Sequence, residues 1–280
     1  MISRNVSLKK YNTFRIGGKA KFFAEPKSTH DIKELFLFCR NNNEKFFILG
    51  NGSNVLFGDD GFDGLVIKIG KHFTTGKSLH SLIQDAAEQG LGGIEKLDGI
   101  PGTIGGAIFM NAGAHGQQMS DCVESVDSIT IYGEIITRTN KECKFSYRSS
   151  IFKMLDEIIL SAEFDFSQVP KEVINTNRKE VLAWRREKQP LKYPNAGSVF
   201  KNPTSNLPLG DSRLSAGYLI DSCGLKGCRV GDAQVSELHA NFIVNRGSAK
   251  ASDVKALMEK IVQAVREKHG IVLEPEICIF

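Results

Sequence analysis

Apolar residues recur along this chain with two periods. Residues 29–42 (THDIKELFLFCRNN) put Ile32, Leu35, Phe36 and Cys39 on one face of a helix, with Ser28 or Thr29 as its cap. Residues 78–90 repeat the pattern with Leu79, Leu82, Ile83 and Ala86 inward and Gly90 as the stop. A third helix over 172–188 is rich in Arg and Lys, and a short one lies near 213–223. The longest clean stripe runs from about Ser252 to Lys268, with Val254, Leu257, Met258, Ile261 and Val265 inward and Gly270 at its end. Between the helices, Phe46–Leu49 and Leu65–Ile69 read as short buried strands. Residues 128–166 are mostly β, 240–245 is a further strand, and IVLEPEICIF at 271–280 reads as the last one. Helices and strands mixed in this way predict an α/β fold.

Composition narrows the class. With 280 residues, 41% hydrophobic and 24% charged, the chain can build one large or two ordinary domains. A net charge of +4, with acids interspersed, gives no basic arm for nucleic acid. The N-terminus lacks an apolar signal region and no run reaches the ~18 apolar residues of a membrane span. Cys39, Cys122, Cys143, Cys223, Cys228 and Cys278 form no CxxC pair and no zinc pattern, so no metal is expected. These features predict a reduced, cytoplasmic protein with neither membrane nor nucleic-acid partner, and no protein partner is implied. No repeat or flexible linker is present, and composition shifts near residue 200.

Glycine changes the picture. Residues 99–116, GIPGTIGGAIFMNAGAHG, hold six glycines and no charged residue, and Gly50-Asn51-Gly52-Ser53-Asn54 forms a second cluster. Two such stretches, with Ser53, Asn54, Thr103 and Asn111 beside them, point to an extended anion cradled by main-chain N–H groups, a pyrophosphate being the natural candidate. The common nucleotide motifs are absent. Gly76-Lys77-Ser78 lacks the P-loop glycine at position 71, and Gly50–Val55 lacks the third Rossmann glycine.

GNGSNVLF at 50–57 followed by GIPGTIGGAIFMNAGAHG resembles the flavin-binding core of the UDP-N-acetylenolpyruvoylglucosamine reductase (MurB) family. NTFRIGGKA (12–20), FSYRSSIF (145–152), NAGSVFKNP (195–203), AGYLIDSCGLKG (216–227), AQVSELHANFIVN (233–245) and LEPEI (273–277) extend the likeness, in order, over essentially the whole chain. The resemblance implies a vanillyl-alcohol-oxidase-type flavin domain of two lobes (about 1–70 and 71–200) and a C-terminal α/β substrate domain at 201–280, whose last strand returns toward the flavin site. It implies non-covalent FAD, NADPH as reductant, and reduction of the UDP-sugar UDP-N-acetylglucosamine enolpyruvate to UDP-N-acetylmuramate, a peptidoglycan precursor. No room exists for the tyrosine-bearing insertion of the longer family type. The rival readings are another flavoenzyme of this fold and a non-catalytic nucleotide-binding protein.

The resemblance also implies residue roles. FAD contacts fall on Gly50, Asn51, Gly52, Ser53 and Asn54, and on Gly99, Ile100, Pro101, Gly102, Thr103, Gly105, Gly106, Asn111, Ala112 and Gly113. Hydride addition to an enol ether leaves negative charge on its carboxylate, so the site needs a stabilising group and an acid. Arg148 is expected to grip that carboxylate, Ser198 to protonate the α-carbon with Lys201 stabilising its alkoxide, and Glu276 to polarise the enolate, with Glu274 as competitor. Lys201, Asn202, Lys226, Gln234 and Asn241 are expected on the UDP-sugar, and Tyr147 on substrate or nicotinamide. His239 reads as structural. Asn51, His115, residues 74–77 and Cys278 depart from the family pattern.

Overall fold

The computed structural model describes residues 2–203 and 215–280. The chain forms two compact units. The first takes residues up to Arg4, Phe22–Asn51 and Asp63–Arg185; the second takes Asn5–Lys21, Gly52–Phe62 and Arg186–Phe280. The divisions expected at about 70 and 200 cut the chain at other places, because each unit is assembled from three separate segments.

In the first unit, α1 (Thr29–Asn42) starts at Ser28, whose hydroxyl accepts from Asp31 N–H while the Asp31 carboxylate accepts from Ser28 N–H. That reciprocal pair satisfies two donors that a helix start leaves open. Ile32, Leu35, Phe36 and Cys39 are buried as the spacing requires. They pack on Leu65 and Ile67, and the same core takes in Ile129 and Ile158. Strand Phe46–Leu49 runs parallel to Phe62–Lys68, pairing Phe46 with Leu65 and Leu49 with Lys68, at the edge of a four-stranded sheet. Val123–Thr130 is the centre of an antiparallel sheet between Ile135–Thr139 and Glu157–Phe164. Across it, Arg138 grips the buried Glu157 with two bonds of 2.6 and 2.9 Å. A second core gathers α2 (Leu79–Glu88), the short α3 (Ile104–Met110) and Phe152. The basic 172–188 pattern is the helix α4 (Lys171–Lys188).

The second unit is built on an antiparallel sheet in the order Asn195–Ser198, Phe242–Asn245, Ala233–Val235, Arg229–Val230. Helices α5 (Ala216–Ser222) and α6 (Ala251–His269) share a core with it. Val254, Leu257, Met258, Ile261 and Val265 are the buried face of α6, and Gly270 ends it in a left-handed cap at φ 68°.

The last ten residues correct the sequence reading. Only Cys278–Ile279 is strand, parallel to Val55–Leu56, while Pro275 makes a single bridge to Phe200. Pro275 stands opposite Phe200 in a non-hydrogen-bonded pair, so its missing N–H faces away from that strand and the bonds on either side of it still form, before the chain moves on to pair with Val55–Leu56.

Candidate active site

Three segments of the first unit converge on the glycine-rich stretch. A Cβ on Gly50 would lie 2.6 Å from Thr103 Oγ1, so glycine leaves room for the Thr103 side chain that caps the next helix. Thr103 caps α3 by accepting from Gly106 N–H at 3.1 Å. Residues 77–79 run beside 102–104: Leu79 N–H donates to Gly102 C=O at 3.1 Å and Ile104 N–H to Lys77 C=O at 2.9 Å. Thr75 anchors this turn by donating its hydroxyl to Ile159 C=O at 2.7 Å. Of residues 50–51, 74–78 and 99–106, Lys77 alone is charged. Glycine backbone, small neutral side chains, one lysine and no carboxylate make a donor set that fits a pyrophosphate such as that of FAD. The second cluster is divided: Gly50 and Asn51 belong to the first unit, and Gly52, Ser53 and Asn54 to the second. There Gly52 is buried and its carbonyl accepts from Thr13 N–H at 3.1 Å.

The far end of the stretch carries Arg148. Ser146 and Ser149 exchange main-chain bonds of 3.0 and 3.1 Å, so Tyr147 and Arg148 form the tip of a two-residue turn. Arg148 takes φ 55°, a left-handed conformation that costs a non-glycine residue about 1–2 kcal/mol. Such strain persists where the surroundings over-determine it. Its Nη1 donates to Gly113 C=O at 2.8 Å, its guanidinium lies 5.5 Å from the Tyr147 ring centre, and Lys153 Nζ holds its carbonyl at 2.7 Å. The Asn111 side chain is turned into the protein. It is 1% exposed, its Nδ2 donates to Ser146 C=O (3.0 Å) and Gln118 Oε1 (3.2 Å), and its Oδ1 accepts from Ser120 N–H (3.0 Å). The side chain ties the end of α3 to the turn that bears Arg148.

In the second unit Ser198 ends a bulged strand. Asn195 pairs with Val244 and Ser198 with Phe242, leaving an irregularity between them. Gly197, at φ 77°, donates its N–H to Asn195 Oδ1 at 2.9 Å. Bulges of this kind re-aim the following side chain. The C-terminal segment lies alongside: Glu276 N–H donates to Val199 C=O (2.8 Å) and Lys201 N–H to Glu274 C=O (2.9 Å). Asn54 Nδ2 holds Glu276 C=O at 3.1 Å. The two candidate acids therefore differ. Glu276 is half-buried beside the Ser198 strand, whereas the Glu274 side chain is 73% exposed and pairs with Lys201 Nζ at 3.1 Å. The Lys201 ammonium is thus paired with the exposed Glu274 carboxylate.

Asn241, expected on the UDP-sugar, is engaged by the main chain. It is 4% exposed, its Oδ1 accepts from Phe200 N–H at 2.9 Å, and its Nδ2 donates to Phe200 C=O at 2.8 Å. Its amide thus stands in for a strand partner of Phe200 instead of facing a sugar. The remaining substrate candidates all lie in the second unit. Asn202 Oδ1 accepts from Ala216 N–H (3.0 Å), Lys226 Nζ pairs with Asp221 (2.7 Å), and Gln234 Nε2 donates to Gly227 C=O (3.2 Å). His239 Nδ1 accepts from Asn241 N–H at 3.2 Å, so the ring is neutral there, and burial followed by the charge of Lys226 pushes its pKa down.

The sequence reading passed over Asp98, the residue immediately before the glycine stretch. Its side chain is fully buried, 2.6 Å from His80 Nδ1, and it accepts from Arg178 Nε at 2.8 Å and from Gly99 N–H at 2.8 Å. Burial raises its pKa, but the bonds from His80 and Arg178 outweigh that and hold it below the usual carboxylate range. The available signal was one acid set in the otherwise small and apolar run LDGIPG.

Comparison with known proteins accords with this geometry. A model of the FAD binding domain matches residues 20–139, and a model of the C-terminal domain of UDP-N-acetylenolpyruvoylglucosamine reductase matches residues 189–280. The reductase of Agathobacter rectalis is 41% identical, covering 96% of this chain and 91% of its own length. That of Chlamydia pneumoniae is also 41% identical, over 99% of this chain and 91% of its own length. The crystal structure of the Thermus caldophilus reductase matches with a TM-score of 0.85 at 35% identity, over 100% of this chain and 99% of that one. With a glycine-rich segment that fits a pyrophosphate in one unit, residues 274–276 paired with 199–201 in the other, and likeness over nearly its full length, this chain belongs to the UDP-N-acetylenolpyruvoylglucosamine reductase family.

Proposed function

We propose that this protein reduces UDP-N-acetylglucosamine enolpyruvate to UDP-N-acetylmuramate, with FAD held by the 50–54 and 99–113 segments and NADPH as reductant, in the synthesis of peptidoglycan precursors in the cytoplasm. The observation that carries the reading is the lateral pairing of the Ser198–Lys201 segment with Glu274–Glu276. Bound FAD would relay a hydride equivalent from NADPH to the methylene carbon of the enolpyruvyl double bond. On this reading Arg148 binds the substrate carboxylate, where the charge of the enolate develops, through its planar fork. Ser198 gives the hydroxyl proton to the α-carbon as the enolate collapses, and water returns a proton to the serine oxygen. Glu276, protonated or bridged by a donor, polarises the enolate. Tyr147, beside Arg148, orients the substrate or the nicotinamide. Lys201, Asn202, Lys226 and Gln234 supply cations and amides to the UDP-sugar, with Lys201 leaving Glu274 to do so. No helix among the described residues is long and apolar enough to cross a membrane.

The test separates the two half-reactions of Ser198→Ala under anaerobic conditions. Bleaching of the flavin band by NADPH should match the parent. Its recovery on adding the enolpyruvyl substrate should slow by roughly 10²–10⁴-fold, the usual worth of a positioned acid. Equal recovery in variant and parent would remove Ser198 from the chemistry.

A further inference from the structure

One face of α4 reaches both flanks of the glycine-rich stretch. Asn177 and Arg178, then Leu182, then Trp184 and Arg185 follow one another at the spacing of successive helical turns. Asn177 Nδ2 donates to the buried Glu95 at 3.1 Å, and Arg178 Nε to the Asp98 carboxylate at 2.8 Å. Arg185 Nε donates to the Asp98 main-chain carbonyl at 2.9 Å. Gly99, at φ 79°, sits against this face so closely that a Cβ would lie 2.8 Å from Arg185 Cδ and 2.9 Å from Leu182 Cδ2. At the other flank, the Trp184 ring meets His115 edge to face, with centres 4.9 Å apart.

Plain core packing does not call for these residues. Arg185 is 6% exposed and Asp98 fully buried, and burial pulls the Arg185 pKa down. Apolar residues of similar volume usually serve stability as well as a buried ion pair or better. What the charged groups add is direction. The Asp98 carboxylate takes the Gly99 N–H, and its carbonyl takes Arg185, so the peptide entering the loop is fixed on both sides. His80, in the first turn of α2, shares Asp98 Oδ1 with the Gly99 N–H while Arg178 holds Oδ2, and the neighbouring Leu79 N–H holds Gly102 C=O.

We propose that the inner face of α4 is a clamp that presets the 99–113 backbone for the FAD pyrophosphate, with Asp98 and Arg178 as positioning residues that set cofactor affinity without touching the reacting atoms. The proposal rests on the reading that this stretch cradles FAD. If only a tenth of molecules hold the loop in its bound form once the clamp is broken, apparent affinity falls about tenfold.

The experiment strips flavin from the full-length parent, Arg178→Gln, Arg178→Lys and Asp98→Asn proteins. It then measures FAD binding by quenching of flavin fluorescence and follows the melting of each apoprotein. Arg178→Gln should weaken FAD binding about tenfold or more. Arg178→Lys should recover part of the loss. At saturating FAD, the KM for the enolpyruvyl substrate should stay within about twofold of the parent. Parent-like FAD affinity in a folded Arg178→Gln protein overturns the clamp, as does a raised substrate KM with unchanged FAD affinity. Arg178→Gln decides the matter if Asp98→Asn does not fold. Failure of the parent itself to bind FAD overturns the flavin reading, an outcome distinct from equal binding by parent and variants.

Discussion

Asn241→Ala offers the sharpest reckoning of how the second unit holds Ser198. Asn241 supplies both bonds to the main chain of Phe200, at 2.9 and 2.8 Å, from a side chain that is 4% exposed. Truncation leaves one N–H and one C=O without these partners in a largely buried setting. Each orphaned group costs about 1–3 kcal/mol, and water entering the small space recovers part of it, so we expect a loss of about 2–4 kcal/mol. Asn241→Asp is a stricter control. It keeps an acceptor for the Phe200 N–H but turns a second oxygen toward the Phe200 carbonyl, so it should be no more stable than the alanine variant. Urea unfolding followed by far-UV circular dichroism gives the difference. Because Phe200 lies two residues beyond Ser198, the same variants should lower the rate of flavin reoxidation by substrate and leave flavin reduction by NADPH unchanged. A stability loss under about 0.5 kcal/mol, the ordinary range for surface changes, would refute the reasoning.

The two C-terminal acids should separate cleanly. Glu276→Gln is expected to lower kcat by roughly 10²-fold or more in steady-state turnover. Glu274→Gln, which breaks only the exposed pair with Lys201, should alter stability by less than about 1 kcal/mol. His239 predicts a pH dependence. Its pKa is depressed below 6.5, first by burial and then by Lys226, so the unfolded chain takes up its proton before the folded one does. The stability contributed by neutral His239 is therefore complete above pH 6.5 and is lost as pH falls from there through the lower folded value. Thermal melts across that range should show a slope that His239→Gln reduces.

The helices were the legible part of this fold because their information is local. The stripes at 29–42 and 252–268, with Ser28 before one and Gly270 after the other, specify α1 and α6 without reference to anything distant. The last strand was over-read because its apolar content suggested one continuous strand, whereas residues 274–276 pair briefly beside 199–201 and only Cys278–Ile279 joins Val55–Leu56. The interleaved units were invisible for a different reason. Segments 5–21 and 52–62 join the second unit through contacts far away in sequence, and no periodicity encodes such contacts.

The site shows the same division between chemistry and placement. Glycine and serine motifs identify what kind of ligand and reaction the chain suits, since those depend on residue type. They do not tell which polar residue faces the ligand and which holds the residue that does. Asn111 and Asn241 sit inside motifs full of candidate ligand contacts, and a primary amide is equally suited to bind a sugar or to complete a main chain. Burial decides between the two. At 1% and 4% exposure, with both ends of each amide engaged by protein groups, these asparagines are fixtures on which Arg148 and Ser198 are mounted. Asp98 is the same case seen from the acidic side. A buried carboxylate beside a glycine loop looks hostile to a pyrophosphate until its oxygens are found turned to Arg178, His80 and the Gly99 N–H. The negative charge is then balanced inside the first unit, and the glycine segments keep a neutral, amide-rich surface with Lys77 as their one charge.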